Sequence, residues 1–209
     1  MPASTPIARS KSAALARILD SIPKGYLRHT SGTVSASKAV AMAKKFHERY
    51  GIAASPAKRI TRKKAGLANA LLVMFWPEGA ERVEWLMLVT NGKGFENEQL
   101  QDITSKPRLI WLGYEFVRRS ERGRTAWTCR RPQSEMTEHY ALLASLCSTH
   151  KHAAVEALLQ RLANQPGYHG VREQTWRLGQ EAIRRGYQGE LPFLFFMQKI
   201  SHGDRLVID

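Results

Sequence analysis

Residues 67–76 read LANALLVMFW and residues 82–90 read RVEWLMLVT. The first run is apolar on both alternating faces, which predicts a central strand covered on both sides. The second places Val83, Trp85, Met87 and Val89 on one face, the period-two pattern of a strand. Between them, Pro77-Glu78-Gly79-Ala80 favours a turn, because Pro pre-sets φ and Gly accepts positive φ. The pair therefore reads as an antiparallel hairpin.

Further along the chain, Asn91-Gly92-Lys93-Gly94 reads as a loop and Glu96–Ile103 as a short helix, closed by Pro107. Arg108–Arg119 is predicted as a third strand with Ile110, Leu112, Tyr114 and Phe116 on one face. Ser120–Arg124 turns the chain, and Thr125–Arg131 returns as a fourth strand. Residues 67–131 thus predict an antiparallel sheet of four or five strands. The last third, 132–209, carries helical stripes: Met136, Tyr140, Leu143, Cys147; Val155, Leu158, Leu159, Leu162; and Val171, Thr175, Leu178, Ala182. Pro166-Gly167 separates the last two. Leu191–Met197 is apolar and reads as an edge strand or a buried helical turn. These helices and the sheet are expected to form one compact unit.

Towards the N-terminus, residues 1–9, with Pro2, Ser4, Thr5 and Pro6, read as a disordered tail. Ser10–Ser21 spaces Leu15, Ile18 and Leu19 as a short amphipathic helix, ended by Pro23 and Gly25. Residues 26–34 are loop-like. Ser35 or Ser37 can cap a helix running to Tyr50, with Gly51 as its C-terminal glycine. Residues 55–66 read as an exposed loop or one helical turn. The fold class is α+β: a basic helical segment over 10–66, the antiparallel sheet, and a C-terminal helical bundle.

Charge is the unusual property. The 209 residues hold 32 Lys and Arg against 18 Asp and Glu, a net of +14. Residues 1–66 contain 14 of the basic residues and only two acids, Asp20 and Glu48. Residues 67–131 hold 10 against 8, and residues 132–209 hold 8 against 8. A block of one sign is the electrostatic footprint of a polyanion partner. The longest uncharged apolar run, Leu67–Pro77, spans eleven residues, too short for a membrane helix of about 20. No apolar signal-peptide core follows the early cations, so a cytoplasmic protein is expected. Cys129 and Cys147 are too few for a disulfide scaffold or a four-cysteine zinc site.

Two constellations are candidate phosphate contacts. The first is Lys38, Lys44, Lys45 and Arg49 followed by the denser Lys58, Arg59, Arg62, Lys63 and Lys64. At helical spacing Arg59, Arg62 and Lys63 share one side. Five phosphate contacts on duplex DNA would give a log–log salt slope of about −4 to −5. The second is the hairpin with Arg118, Arg119, Arg122, Arg124, Arg130 and Arg131 within fourteen residues. Pairing would set Arg118 and Arg119 near Arg124, where like charges repel unless an anion intervenes. Arg suits bidentate phosphate or guanine contacts, though Glu115 and Glu121 lie close by.

Other motifs point to packing. Trp76, Trp85, Trp111 and Trp127 fall in the sheet and are read as core residues, since no aromatic RNA-binding signature accompanies them. No phosphate loop, no nucleophile elbow, no His-Glu-x-x-His and no tight carboxylate cluster is present, so no cofactor, metal or catalytic residue is assigned. Glu135 and His139 stand four apart on one helix face with Tyr140 beside them. The expected function is nucleic-acid binding by an accessory or regulatory factor of DNA or RNA processing, for instance that of a mobile element. Residues 132–209 would stabilise the sheet or hold a protein partner. The alternatives are an inhibitor or adaptor docking on an acidic protein, and a metal-independent nuclease using Glu135 and His139.

Overall fold

The computed structural model describes residues 3–121, 123–197 and 201–208. The chain is α+β, with six α-helices and two sheets among the described residues. It divides into two compact units, residues 1–107 with 200–209, and residues 108–199. The first begins with β1 (Ala3–Ala8), α1 (Lys11–Ser21), a 3-10 turn at Ile22–Lys24 and β2 (Tyr26–Ser35). It continues through α2 (Ala36–Tyr50), α3 (Pro56–Lys64), β3 (Ala70–Phe75), β4 (Arg82–Thr90) and the short β5 (Gln101–Asp102). The second unit holds β6 (Ile110–Trp111), β7 (Tyr114–Glu121), β8 (Arg124–Arg130), α4 (Gln133–Ser148), α5 (His152–Ala163) and α6 (His169–Arg184). The chain then returns to the first unit with β9 (Asp204–Ile208).

The sheet of the first unit has the order β5-β2-β4-β3-β1-β9. The β3–β4 hairpin forms as predicted, Ala70 opposite Val89 and Phe75 opposite Glu84. The single antiparallel sheet expected over 67–131 does not form. The six-stranded sheet is mixed, since β1 runs parallel to β3, and the remaining strands of that region make a separate three-stranded sheet, β6-β7-β8. The expected tail at 1–9 contains β1, held between β3 and β9. The expected loop at 26–34 is β2, paired along its length with β4. Its Arg, His, Thr, Ser and Gly residues hide the strand, because only the hydrogen-bond ladder to β4, and not an apolar face, identifies it.

Alternation along β3 and β4 feeds both faces of this sheet. Ala70, Leu72 and Met74 join Val83, Met87 and Val89 beneath Ala39, Ala43 and Tyr50 of α2. The intervening Leu71, Val73, Leu86 and Leu88 are buried on the opposite face, and α1 packs against β3. Ser10 caps α1 by accepting from the Ala13 N–H at 3.2 Å, and Ser55 caps α3 by accepting from the Lys58 N–H at 3.3 Å. The basic stretch is thus a nine-residue helix and not a loop or a single turn.

One buried polar contact ties α2 to β1: His47 Nε2 lies 2.5 Å from Thr5 Oγ1, while His47 Nδ1 is buried without a partner. Burial lowers the pKa of His47, and burial also lowers that of His29 on β2. The folded protein therefore refuses protons that the unfolded chain accepts, so stability falls as pH drops through the ordinary histidine value near 6.5. His47→Gln keeps a polar partner for Thr5 but cannot titrate. Its urea midpoint is expected to fall less than the wild type's between pH 7.5 and pH 5.5, with His29 and His169, whose pKa values burial also lowers, supplying the remaining loss; equal falls would show that His47 does not carry the effect.

In the second unit, Arg118 pairs with Trp127, Arg119 with Ala126, and Arg130 with Glu115 across β7 and β8. Met136, Leu143 and Cys147 of α4 pack with Val155, Leu158 and Leu162 of α5 and Leu178 and Ala182 of α6. The start of α6 approaches β8 closely. The Gly170 N–H donates to Thr128 Oγ1 at 3.1 Å, and a Cβ on Gly170 would lie 2.6 Å from the Cys129 carbonyl oxygen. Two local expectations fail. Residues 96–103 form turns and β5 and no helix, and Leu191–Met197 forms neither strand nor helix. Phe193, Phe195 and Phe196 of that segment are exposed, and the Met197 N–H donates to the Gly167 carbonyl at 3.1 Å. Among the described residues, no helix is long and apolar enough to cross a membrane.

Candidate nucleic-acid interface

Lys38, Lys45 and Arg49 form one exposed stripe on α2, and Lys44 is exposed on another side of the helix. Arg49 is engaged: its guanidinium donates to Glu98 Oε1 at 2.7 Å, and the same oxygen accepts from the Tyr50 hydroxyl at 2.8 Å. On α3, Lys58, Lys63 and Lys64 are exposed. Arg59 and Arg62, which the helical spacing grouped with Lys63, turn inward. Arg59 donates to the carbonyls of Ala54 at 3.0 Å and Ile52 at 2.9 Å, and to the Tyr26 hydroxyl at 3.4 Å. Arg62 donates twice to the Ala68 carbonyl, at 3.3 and 2.7 Å. Asn69 Nδ2 completes the attachment by donating to the Arg59 carbonyl at 3.0 Å. A helix with no buried residue of its own is therefore held by two guanidinium groups, Arg59 to the loop that precedes it and Arg62 to the approach to β3. The exposed lysines are what it presents outward.

These contacts wall a cleft of about 310 Å³ lined by Lys24, Gly25, Tyr26, Leu27, Arg59, Ile60, Lys63, Asn69, Thr90 and Asn91. Three of the lining residues are cations and none is an acid. Arg17 on α1 lies close enough to Arg59 and Tyr26 to feel both. Burial, with repulsion from Arg59, brings its pKa down to about 10, and its Nε is buried without a hydrogen-bond partner. Arg28 donates to the carbonyls of Thr90 and Gly92, each at 3.2 Å. Arg17 and Lys24 were not among the residues predicted from sequence. A usable signal existed for Arg17, which shares a helix face with the buried Ala14, Ile18 and Ser21 and so interrupts an apolar stripe with a charge.

The arginine hairpin is less open than its composition suggests. Arg131 is 1% exposed and cannot touch an external polyanion. Its guanidinium donates to Gln165 Oε1 at 2.7 Å, Thr175 Oγ1 at 3.0 Å, and the carbonyls of Leu162 at 3.1 Å and Val171 at 3.3 Å. Arg130 donates to Glu115 Oε1 at 2.5 Å, an oxygen it shares with Arg108 at 3.8 Å. Arg118 is exposed and sits 5.8 Å from the Trp127 ring centroid, and Arg119 is half-buried. The register sets these two opposite Trp127 and Ala126, so the expected crowding against Arg124 does not arise. Arg124 opens β8, and Arg122 lies outside the described residues.

No family model matches the chain, and no curated protein or solved structure is similar to it. The chemistry of the site must be read from its own side chains. Glu135 and His139 do meet on α4, at 3.3 Å. Among the described residues, no three His, Cys, Asp or Glu side chains converge as a metal site. The cations of the first unit form the larger assembly. Lys38, Lys45, Lys58, Lys63 and Lys64 are all exposed, and none of them has a carboxylate within ion-pair distance among the described residues.

Proposed function

We propose that this chain is a nucleic-acid-binding accessory or regulatory protein that grips phosphates through Lys38 and Lys45 on α2 and Lys58, Lys63 and Lys64 on α3. The observation carrying this reading is a division of labour on α3. Its arginines spend their donors on the protein's own carbonyls, while Lys58, Lys63 and Lys64 face outward without carboxylate partners among the described residues. Helix-mounted lysines such as these three suit sequence-independent contact with a phosphate backbone, where the gain comes from counterion release. Arg118 and Arg119 offer a second, smaller set of contacts on the other unit.

Fluorescence anisotropy with labelled DNA and RNA across a salt series tests this. Binding is expected at low salt and weakens steeply as salt rises. Lys58→Ala with Lys64→Ala removes two contacts and is expected to flatten the log–log slope by about 1.8 on duplex DNA, at 0.9 per contact. Among the described residues neither side chain has a hydrogen-bond or ion-pair partner, so thermal stability should hold. Absence of binding at low salt would sink the proposal and leave an acidic protein as the partner of the same face.

A further inference from the structure

The cleft beneath α3 gathers cations with no acid in its lining. Lys24, Arg59 and Lys63 line it without an acid. Arg17 stands beside Arg59 with its Nε buried and unpartnered. Arg59 is already hydrogen-bonded to protein oxygens, whereas Lys24 and Lys63 are exposed at the rim, so an anion entering the cleft meets two ammonium groups and no carboxylate in the lining. Asn69 Oδ1, in the same lining, is a buried acceptor without a partner. Leu27 and Ile60 add apolar surface.

We infer that this cleft is a phosphate subsite that takes a terminal phosphomonoester, at the end of a nucleic-acid strand or on a free mononucleotide. The strand form rests on the nucleic-acid reading above; the mononucleotide form does not. An internal phosphodiester carries one charge and must run past its contacts in both directions. A monoester carries about −1.5 to −2 at pH 7 and ends, which suits a recess with several cations at its wall. The volume of about 310 Å³ falls at the small end of small-molecule pockets, the size class of a single nucleotide. An unpaired acceptor and an apolar wall beside the cations give a nucleoside's hydroxyl or amino donors and its ring something to meet, which inorganic phosphate would not use.

One oligonucleotide sequence in three forms, 5′-phosphorylated, 3′-phosphorylated and hydroxyl at both ends, decides the matter, with adenosine monophosphate and adenosine as competitors. One phosphorylated form is expected to bind about tenfold tighter than the hydroxyl form, as two charge-assisted hydrogen bonds would give. The monophosphate, and not adenosine, displaces it. Lys24→Ala and Lys63→Ala, both at exposed positions, each remove that preference, whereas Lys58→Ala keeps it. Equal binding of all three forms overturns the subsite while the nucleic-acid reading stands. Stabilisation by the monophosphate with no oligonucleotide bound keeps the subsite and overturns the nucleic-acid reading. No response to any probe overturns both.

Discussion

Arg131→Ala is expected to destabilise the second unit by about 2–4 kcal/mol, from the cavity it leaves and the buried oxygens that lose a donor. The guanidinium reaches four oxygens on two elements, Leu162 and Gln165 at the end of α5 and beyond, and Val171 and Thr175 on α6. The Leu162 carbonyl is among the last of α5, where it takes the N–H groups of the closing turn, that of Gln165 at 3.4 Å; a cation there also meets the negative end of the helix dipole. The backbone adds two more bonds, Arg131 N–H to Gln174 Oε1 at 2.8 Å and Gln174 Nε2 to the Arg131 carbonyl at 3.0 Å. Alanine keeps these two but takes a charged donor from all four oxygens, leaving Gln165 Oε1 with the Tyr114 hydroxyl at 3.5 Å and Val171 with the Thr175 hydroxyl at 3.0 Å, and it opens a cavity where the side chain stood. Arg131→Lys should recover only part of the loss, because one ammonium cannot reproduce a planar fork spread over two helices. Urea denaturation, with hydrogen exchange over 133–184, checks this against Arg118→Ala, an exposed change expected within about 0.5 kcal/mol of wild type. A loss below about 1 kcal/mol for Arg131→Ala would deny the residue this role.

Arg131 also shows where sequence reading stopped. Six arginines in fourteen residues predict a polyanion surface only if all six point outward. Nothing local distinguishes Arg131, which caps a helix 31 residues away, from Arg118, which faces solvent. The same holds on α3: amphipathic spacing correctly grouped Arg59 and Arg62, but it could not say that their shared side faces carbonyls of 52, 54 and 68. Elements with an apolar period were legible, namely α1, α2, the β3–β4 hairpin and the three C-terminal helices. Those defined by partners distant in sequence were not. β1 needs β3 and β9, and β2 needs β4, some fifty residues on. The polar faces of such strands carry no periodic signal of their own. The excess of positive charge in the first third was visible in composition alone. Its concentration around a cleft depended on where α1, the 3-10 turn and α3 meet, which is long-range information.

Gly92→Ala is expected to cost the first unit about 2–4 kcal/mol, combining a strained backbone with overpacking. The residue has φ +142°, and a Cβ there would lie 2.5 Å from the Ala68 nitrogen and 2.8 Å from the Leu67 carbonyl carbon. Both are main-chain atoms and cannot swing aside. The approach is close because the loop is stitched to the entrance of β3: the Ala68 N–H donates to the Lys93 carbonyl at 3.0 Å, and the Lys93 N–H donates to the Gly66 carbonyl at 2.9 Å. Arg28 holds the Gly92 carbonyl from the other side. Gly94→Ala is the control, since Gly94 has φ +100° with nothing within 4 Å of an added Cβ. It should show the backbone term alone, so the difference between the two urea midpoints isolates the steric part. Thr90 and Asn91 line the cationic cleft, so displacing this loop should also weaken the preference for phosphorylated strand ends, which Gly94→Ala should leave in place. If the two glycines prove equally tolerant, the loop does not press on β3 as closely as described, and the wall of the cleft is free to move.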